Sequence, residues 1–521
     1  MDDGHTQRAL AAALIQPQCY PHPVGTVRVI ETHISRVFLT GDYAYKLKKP
    51  LDLGFLDFTT LAQRREACAD EVRLNRRLAP QIYLDAVPII GSVDAPRIGG
   101  SGMPIEWAVR MREFPQSALL SSMAETGALE TAHIDAVADL LASFHGGLPP
   151  APASSPYASA ARITADARDN FAALRPLVRG TALEARVESL RAWSDAAADR
   201  LAAAFDRRRH GGHVRECHGD LHLANLAWVD GAPLAFDCIE FNPALRWIDV
   251  ASELAFTMMD LAAYGAAPLA NRLLNRYLEH TADYGLLDVL DFYLAYRALV
   301  RAKIAALGAA EHHHPAAADA WVARYLGTAQ AVCQPRRPWL AITHGLAGSG
   351  KSTAALAAAT ATGALRLRSD VIRKQLHGFA PGARSRSGPG AGLYTPAATD
   401  ATYQCLAEMA RLALEAGFPV VADATFLRRE YRLRFAHLAC ERAVPFAILH
   451  TAAPAPLLRV RIAQRAQAGQ DPSEADAAIM DRQQAAAEPL GPDEQTHEVR
   501  VDATNPAAVV AALAAHGCGV V

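Results

Sequence analysis

Residues Trp339 to Thr362 read WLAITHGLAGSGKSTAALAAATAT, a short apolar strand, a glycine-rich octapeptide and then an alanine-rich helix. No other stretch of the chain restricts its fold so strongly. The octapeptide satisfies G-x-x-x-x-G-K-[ST], and its glycines let the backbone curl until successive N–H groups and the helix N-terminus face one point, which suits a chain of phosphates. Gly345, Leu346, Ala347, Gly348, Ser349 and Gly350 form this loop, with Thr353 opening the helix beside it. Lys351 is placed to reach β- and γ-phosphate oxygens, and Ser352 to hold Mg²⁺. Short apolar strands recur downstream, in LEAGFPVVADATF and VPFAILHTAAP, between amphipathic helices. That alternation predicts a parallel α/β sheet.

A chain of 521 residues exceeds what one hydrophobic core supports. Helical composition ends at CQPRRP, so we place a linker at 333–338 and domains at 1–332 and 339–521. In the first of these, VRVIETHISRVFLTGDYAYKL alternates around Thr40-Gly41-Asp42 as a hairpin does. Thr60 to Leu78 has helical spacing, and strands are expected at Ala86–Ile90 and Glu106–Phe114. From Thr131 to about Tyr325 the chain is rich in Ala, Leu and Arg, as a helical lobe is.

HGDLHLANLAWVDGAPLAFD, beginning at His218, contains H-x-D-x-x-x-x-N and then Asp237 after a short apolar strand. This spacing, with YAYKLKKP upstream, resembles protein kinases and the aminoglycoside phosphotransferase-like family. The resemblance implies Asp220 as the carboxylate that faces an acceptor hydroxyl, Asn225 and Asp237 as metal ligands, and His218 as a brace of the loop. It also implies that Lys46 pairs with nucleotide phosphates and is held by Glu71, with Glu66 as a competing candidate. Lys48 shares the strand face of Lys46. Asp249, in RWIDVASEL, is expected to anchor the catalytic loop. The glycine loop G-x-G-x-x-G of the kinases is missing, since ETHISRVFLTGD supplies only Gly41.

In the second domain Asp370 and Arg373, in RSDVIRKQLHG, follow the phosphate loop as D-x-x-R. An Asp near the γ-phosphate can take the acceptor's proton, and an Arg one turn on can grip an anionic part of the acceptor. Here the chain resembles P-loop kinases of the polynucleotide, gluconate and chloramphenicol kinase group. Asp423, ending the strand PVVAD, is a further candidate for Mg²⁺. Arg459, Arg461 and Arg465 lie along one helical stretch, and the resemblance implies a lid in which Arg461 and Arg465 neutralise moving charge. Pro381 to Gly392, PGARSRSGPGAG, is expected to close over an acceptor.

Taken whole, the chain resembles bacterial fusions of an aminoglycoside phosphotransferase-like domain with an AAA-type ATP-binding domain. The expected fold is a bilobal protein-kinase-like domain, a small antiparallel sheet lobe plus a helical lobe, followed by a three-layer α/β/α P-loop domain. The expected function is ATP- and Mg²⁺-dependent phosphotransfer to a hydroxyl of a small molecule or of a nucleic-acid end. A ligand-sensing N-terminal half that controls a P-loop kinase or ATPase switch is the alternative. With Lys+Arg 52 against Asp+Glu 54, the net charge of -2 provides no field for polyanions or membranes. No aromatic platform is interleaved with basic residues for strand binding. The eight cysteines form no CxxC pair, and no apolar run reaches membrane-spanning length, as expected of a cytoplasmic protein with buried thiols.

Overall fold

The computed structural model describes residues 3–54, 56–152, 154–312, 315–380, 383, 385, 392–468 and 476–519. Packing divides the chain into two compact units, Met1–Tyr264 with Tyr296–Val322, and Gly265–Ala295 with Ala323–Val521.

The first unit carries an antiparallel sheet of β1 (Arg28–Glu31), β2 (Ser35–Leu39), β3 (Tyr43–Lys48), β4 (Tyr83–Gly91), β5 (Pro96–Ile98) and β6 (Pro104–Arg112), in the order β1-β2-β3-β6-β4-β5. The turn from β2 to β3 falls at the anticipated Thr40-Gly41-Asp42. There Gly41 takes a φ of 100°, and Thr40 Oγ1 donates to the Tyr43 carbonyl at 2.7 Å. The β1–β2 connection is only Thr32–Ile34, braced by the Ser35 N–H donating to Thr32 Oγ1 at 3.0 Å. Helix Leu61–Asn75 starts at a capping box of Thr60 and Gln63 and buries Cys68 and Val72 against Leu39, Ala44 and Val109 of the sheet. Helices Thr131–Gly147, Ala160–Val178, Glu184–His210 and Val250–Ala263 build the helical lobe. HGDLHLAN runs between β7 (Val214–Glu216) and the hairpin of β8 (Leu226–Val229) with β9 (Ala232–Ala235). Strand β10 (Trp247–Asp249) pairs with β7.

The second unit is built on a parallel sheet, β11 (Leu340–His344), β12 (Leu365–Arg368), β13 (Val420–Asp423), β14 (Phe446–His450) and β15 (Glu498–Arg500), in the order β12-β13-β11-β14-β15. Strands β11 and β13 are buried at every residue, which explains their unbroken apolar reading. Ala341, Val421, Ala447 and Leu449 pack with Ala354, Ala355 and Ala358 of helix Lys351–Thr362 and with Val509 and Leu513 of helix Pro506–Ala515. Helices Pro396–Glu415 and Arg429–Glu441 also pack on the sheet.

The composition break at 333–338 is not where this unit begins, because Gly265–Ala295 packs with it. Helix Ala267–Thr281 lies along helix Lys351–Thr362 and edge strand β12. Its Asn275 side chain accepts the Arg366 N–H at 2.6 Å and donates to the Ala364 carbonyl at 3.0 Å, so it satisfies backbone groups that an edge strand would leave open. Among the described residues no helix is long and apolar enough to cross a membrane. All eight cysteines are unpaired; five are buried, whereas Cys440 is exposed, contrary to the expectation of buried thiols throughout.

Candidate active sites

In the second unit the phosphate loop leaves β11 at His344 and enters helix Lys351–Thr362. Gly348 and Gly350 have φ of 80° and 98°, and a Cβ on them would lie 2.9 Å from the Leu458 carbonyl oxygen and 2.6 Å from Ala503 Cβ. Only glycine fits that cradle. The Lys351 ammonium lies on the Leu346 carbonyl at 2.7 Å, and the Ala347 N–H donates to Gln483 Oε1 at 2.9 Å. The Ser352 hydroxyl donates to Asp423 Oδ1 at 3.0 Å. Asp423 Oδ2 is buried without a hydrogen-bond partner, with Arg368 Nε 4.0 Å away. Burial pushes the Asp423 carboxyl above its ordinary pKa, against the pull of Arg366, Arg368 and Lys351.

A cleft of about 400 Å³ brings Lys351, Ser352, Asp370, Arg373 and Asp423 together. Arg373 is buried, donates to the Leu393 carbonyl at 2.9 Å and to Thr399 Oγ1 at 3.2 Å, and lies over the Tyr394 ring at 5.2 Å; its Nε has no hydrogen-bond partner. Arg368, Tyr403, Arg428 and Arg482 also line the cleft, and sequence reasoning missed all four. Arg482 sits on an ordinary polar helix, Ala477–Ala486, and carried no signal. Thr353 is exposed and is not a lining residue. Arg461 donates to the Gly348 carbonyl at 3.5 Å and does not line the cleft either, while Arg459 pairs with Asp481 at 2.9 Å on the surface. Arg465 belongs to helix Ala455–Ala468, but its side chain lies outside the described residues, as does most of Pro381–Gly392.

In the first unit a chain of alternating charges runs from β3 to the segment after β9. Lys46 pairs with Asp237 and with Glu71 Oε1 at 2.8 Å. Lys48 pairs with Glu71 Oε2 and with Glu240. Glu71 is fully buried and Glu66 is exposed, which decides between them. Lys46 and Lys48 both reach Glu71 because strand side chains repeat every two residues. Asp237 adopts a φ of 63° and its N–H donates to the Tyr83 hydroxyl at 3.0 Å. Burial raises the pKa of its carboxyl, but Lys46 outweighs this and holds it below the ordinary value. The Asn225 amide donates to the Asp220 carbonyl at 2.9 Å and to Oδ2 at 3.1 Å. Burial opposes ionisation of Asp220 too, yet His222, Arg301 and His218 keep it well below the usual carboxylate range. Asp220 therefore stays a carboxylate at neutral pH. His218 does brace the loop, with Nε2 2.8 Å from the Phe236 carbonyl and the Asp220 N–H donating to Nδ1 at 3.3 Å.

Residues 55–293 match the family described as Phosphotransferase enzyme family, and residues 340–490 match the family described as AAA domain. Over 474 residues the sequence is 32% identical to the uncharacterized protein Rv2004c of Mycobacterium tuberculosis, covering 90% of this chain and 92% of that one. The chain belongs to this two-domain phosphotransferase family. A Mycobacterium bovis relative, uncharacterized protein Mb2027c, matches equally, at 32% identity over the same 474 residues. Among solved structures the chain is similar to a choline/ethanolamine kinase family protein from Mesorhizobium loti (13% identity, 63% of this chain and 95% of that one, TM-score 0.38). The chain is also similar to a gluconokinase from Sinorhizobium meliloti 1021 (23% identity, 34% of this chain and 94% of that one, TM-score 0.26). The phosphotransferase and AAA domains together support ATP-dependent phosphotransfer in general.

One expectation for the family's first half needs correcting. Asp249 does not hold the catalytic loop: it caps helix Val250–Ala263 by accepting the Ala251 N–H at 2.9 Å and forms a bidentate pair with Arg208 at 2.7 and 2.9 Å. The anchor is Glu253, one helical turn on. Its Oε1 accepts the N–H groups of His218 (2.6 Å) and Gly219 (2.9 Å), and its Oε2 meets His145 Nε2 at 2.9 Å. Burial opposes the charge of Glu253, but the hydrogen bond from His145 and the backbone donors hold its pKa at about 2, against an ordinary 4.5. A depressed carboxylate adds stability above its unfolded value and loses it as pH falls. Glu253 is thus expected to contribute on the order of 3 kcal/mol at neutral pH. That contribution fades as pH drops from 4.5 towards about 2. Chemical denaturation of Glu253→Gln against wild type checks this, the difference being large at pH 7 and shrinking steadily below pH 4.5.

Proposed function

We propose that the chain is a phosphotransferase with two ATP-using modules, the P-loop module acting on the hydroxyl of a small anionic molecule. The observation that carries this reading is the shared cleft, where Lys351, Ser352 and Asp423 lie with Asp370 and the buried Arg373. A nucleotide-only switch has no need of an acceptor-side guanidinium. The donor set fits a hard cation: two oxygens from Ser352 and Asp423, one of them a buried carboxylate oxygen with no hydrogen-bond partner. Mg²⁺ held there would offset the charge on the phosphates.

The remaining steps fall to the chain's own residues. Lys351 leaves the Leu346 carbonyl to meet the β- and γ-phosphate oxygens, and the N–H groups of the loop face the same phosphates. Arg373 grips the acceptor's negative group, while Leu393 and Thr399 keep the guanidinium in place. Asp370 receives the hydroxyl proton as the acceptor oxygen bonds to the γ-phosphorus and the bond to the β-phosphate oxygen breaks, releasing ADP. Arg482 and Arg428, which line the cleft, add positive charge around the moving phosphoryl group. Arg461 acts from behind the loop, through Gly348. In the first module Lys46, Asn225 and Asp237 would hold the nucleotide and its metal, and Asp220, ionised at neutral pH, would orient the second acceptor.

Transfer of labelled γ-phosphate from ATP to pooled sugar acids, sugar phosphates, neutral sugars, aminoglycosides and 5′-hydroxyl oligonucleotides tests the reading. Label should enter an anionic small molecule, and Arg373→Ala should raise that acceptor's KM by roughly tenfold or more with the ATP KM nearly unchanged. Label released only as free phosphate from every pool would refute it.

A further inference from the structure

Helix Ala267–Thr281 lies within the phosphotransferase family match, at 55–293, yet the side chains of its Asn271, Asn275 and Glu279 are spent on the P-loop unit. Asn271 donates to the Thr360 carbonyl at 3.0 Å, at the end of the helix that begins with Lys351. Asn275 clasps β12, and the Glu279 carbonyl accepts from Gln375 at 3.0 Å. The Glu279 carboxylate is buried and reaches both arginines that alternate along β12. It pairs with Arg366 through Oε1 and with Arg368 through Oε2 at 3.6 Å. These arginines bracket the candidate metal residues: Arg366 donates to the Ser352 carbonyl at 3.4 Å, and Arg368 Nε stands 4.0 Å from Asp423 Oδ2.

We propose that Glu279 is a positioning residue of the P-loop site, which shares the Arg368 guanidinium with Asp423 and so keeps the Asp423 carboxylate open to a divalent cation. The proposal rests on the reading of Ser352 and Asp423 given above. Two guanidinia beside one carboxylate would otherwise neutralise it, and a cation would then compete with a fixed positive charge at close range. With Glu279 in place both guanidinia have a carboxylate partner other than Asp423, and Asp423 Oδ2 is left without a hydrogen bond. Residues that orient metal ligands from behind typically change metal affinity by about 10- to 100-fold when removed. The arrangement also means that the P-loop site is incomplete without a helix that begins more than seventy residues before its phosphate loop.

The test uses the full chain carrying Asp237→Asn, which removes the other candidate metal carboxylate, and reads Mn²⁺ binding by electron paramagnetic resonance in the presence of a non-hydrolysable ATP analogue. Glu279→Gln should weaken Mn²⁺ binding at least about tenfold. Adding Arg368→Gln to it should restore most of that loss, which a simple packing defect would not do. If Glu279→Gln fails to fold, as judged by its thermal transition, Glu279→Asp serves instead, being charged but too short to span both arginines. Mn²⁺ affinity within twofold of the parent in the folded variant, or no recovery on adding Arg368→Gln, would overturn the proposal. Asp423→Asn is the control that separates the two readings. Unchanged Mn²⁺ binding there would show that the Asp423 assignment itself is wrong and would bring the Glu279 proposal down with it.

Discussion

Lys351→Ala is expected to lower γ-phosphate transfer by the P-loop module on the order of 10³-fold, because a preorganised cation at a developing phosphate charge contributes several kcal/mol of transition-state stabilisation. Lys351 is 8% exposed and its ammonium lies on the loop's own Leu346 carbonyl, which leaves it little room to wander. The loop itself should survive the change, since Gly345, Gly348 and Gly350 set its path through backbone angles. The expected pattern is therefore a collapse of kcat with the thermal transition within a degree or two. Kinetics on the anionic acceptor, with transfer by the first module measured in parallel, decides the matter. Loss of label from one acceptor class and its retention in another would establish two separate kinases in one chain.

The second large effect is one of stability. Lys48 is 1% exposed and stands between the carboxylates of Glu71 and Glu240. Lys48→Met keeps the volume but leaves the buried Glu240 without its cation and Glu71 with Lys46 alone, and breaking such a pair costs about 3–5 kcal/mol. Burial works against the Lys48 ammonium, but Glu240 and Glu71 overcome it and raise its pKa above 10.5. A raised lysine contributes fully below its unfolded pKa and loses that contribution only as pH climbs through the folded value. The deficit of Lys48→Met should thus be constant from neutral pH to about 10 and shrink only beyond that. Glu66→Gln, on the exposed side of the same helix, should change stability by less than about 0.5 kcal/mol. Urea denaturation followed across pH separates the two. A functional consequence follows from geometry: Glu71 offers one oxygen to each lysine, so losing Lys48 also loosens Lys46 and should raise the first module's KM for ATP.

The second lysine also bears on the missing glycine loop. Thr32–Ile34 is too short to fold over a nucleotide as a long glycine-rich loop does. The first module instead has β3 tied twice to the segment that carries Asp237, through Lys46–Asp237 and Lys48–Glu240, with Glu71 between the rungs. Such a lattice of pairs, buried at Lys46, Lys48, Glu71 and Glu240, holds the Lys46 ammonium in register.

Much of this protein is legible in its sequence, and the legible part is local. A strand, a glycine-rich loop and a helix declare themselves within 24 residues, because the left-handed backbone at Gly348 and Gly350 is written in the glycines themselves and the unbroken apolar run of β11 is written in its own residues. The same holds for Lys46 and Lys48 on one strand face, for the Thr40–Asp42 turn, and for the order of residues in HGDLHLAN. What only the tertiary structure decided is which distant charge each of these groups meets. Glu253 rather than Asp249 anchors the HGDLHLAN loop because the helix from Val250 points its first turn at the N–H groups of His218 and Gly219. Glu240 finds Lys48 across 192 residues, and Glu279 finds Arg366 across 87. A buried charge must be paired, but composition and periodicity along a chain do not say with what. That choice is made by the packing of whole helices against sheets. It is why the edge of the P-loop unit, read from the sequence at a proline-rich break, also takes in the helix that carries Asn275 and Glu279.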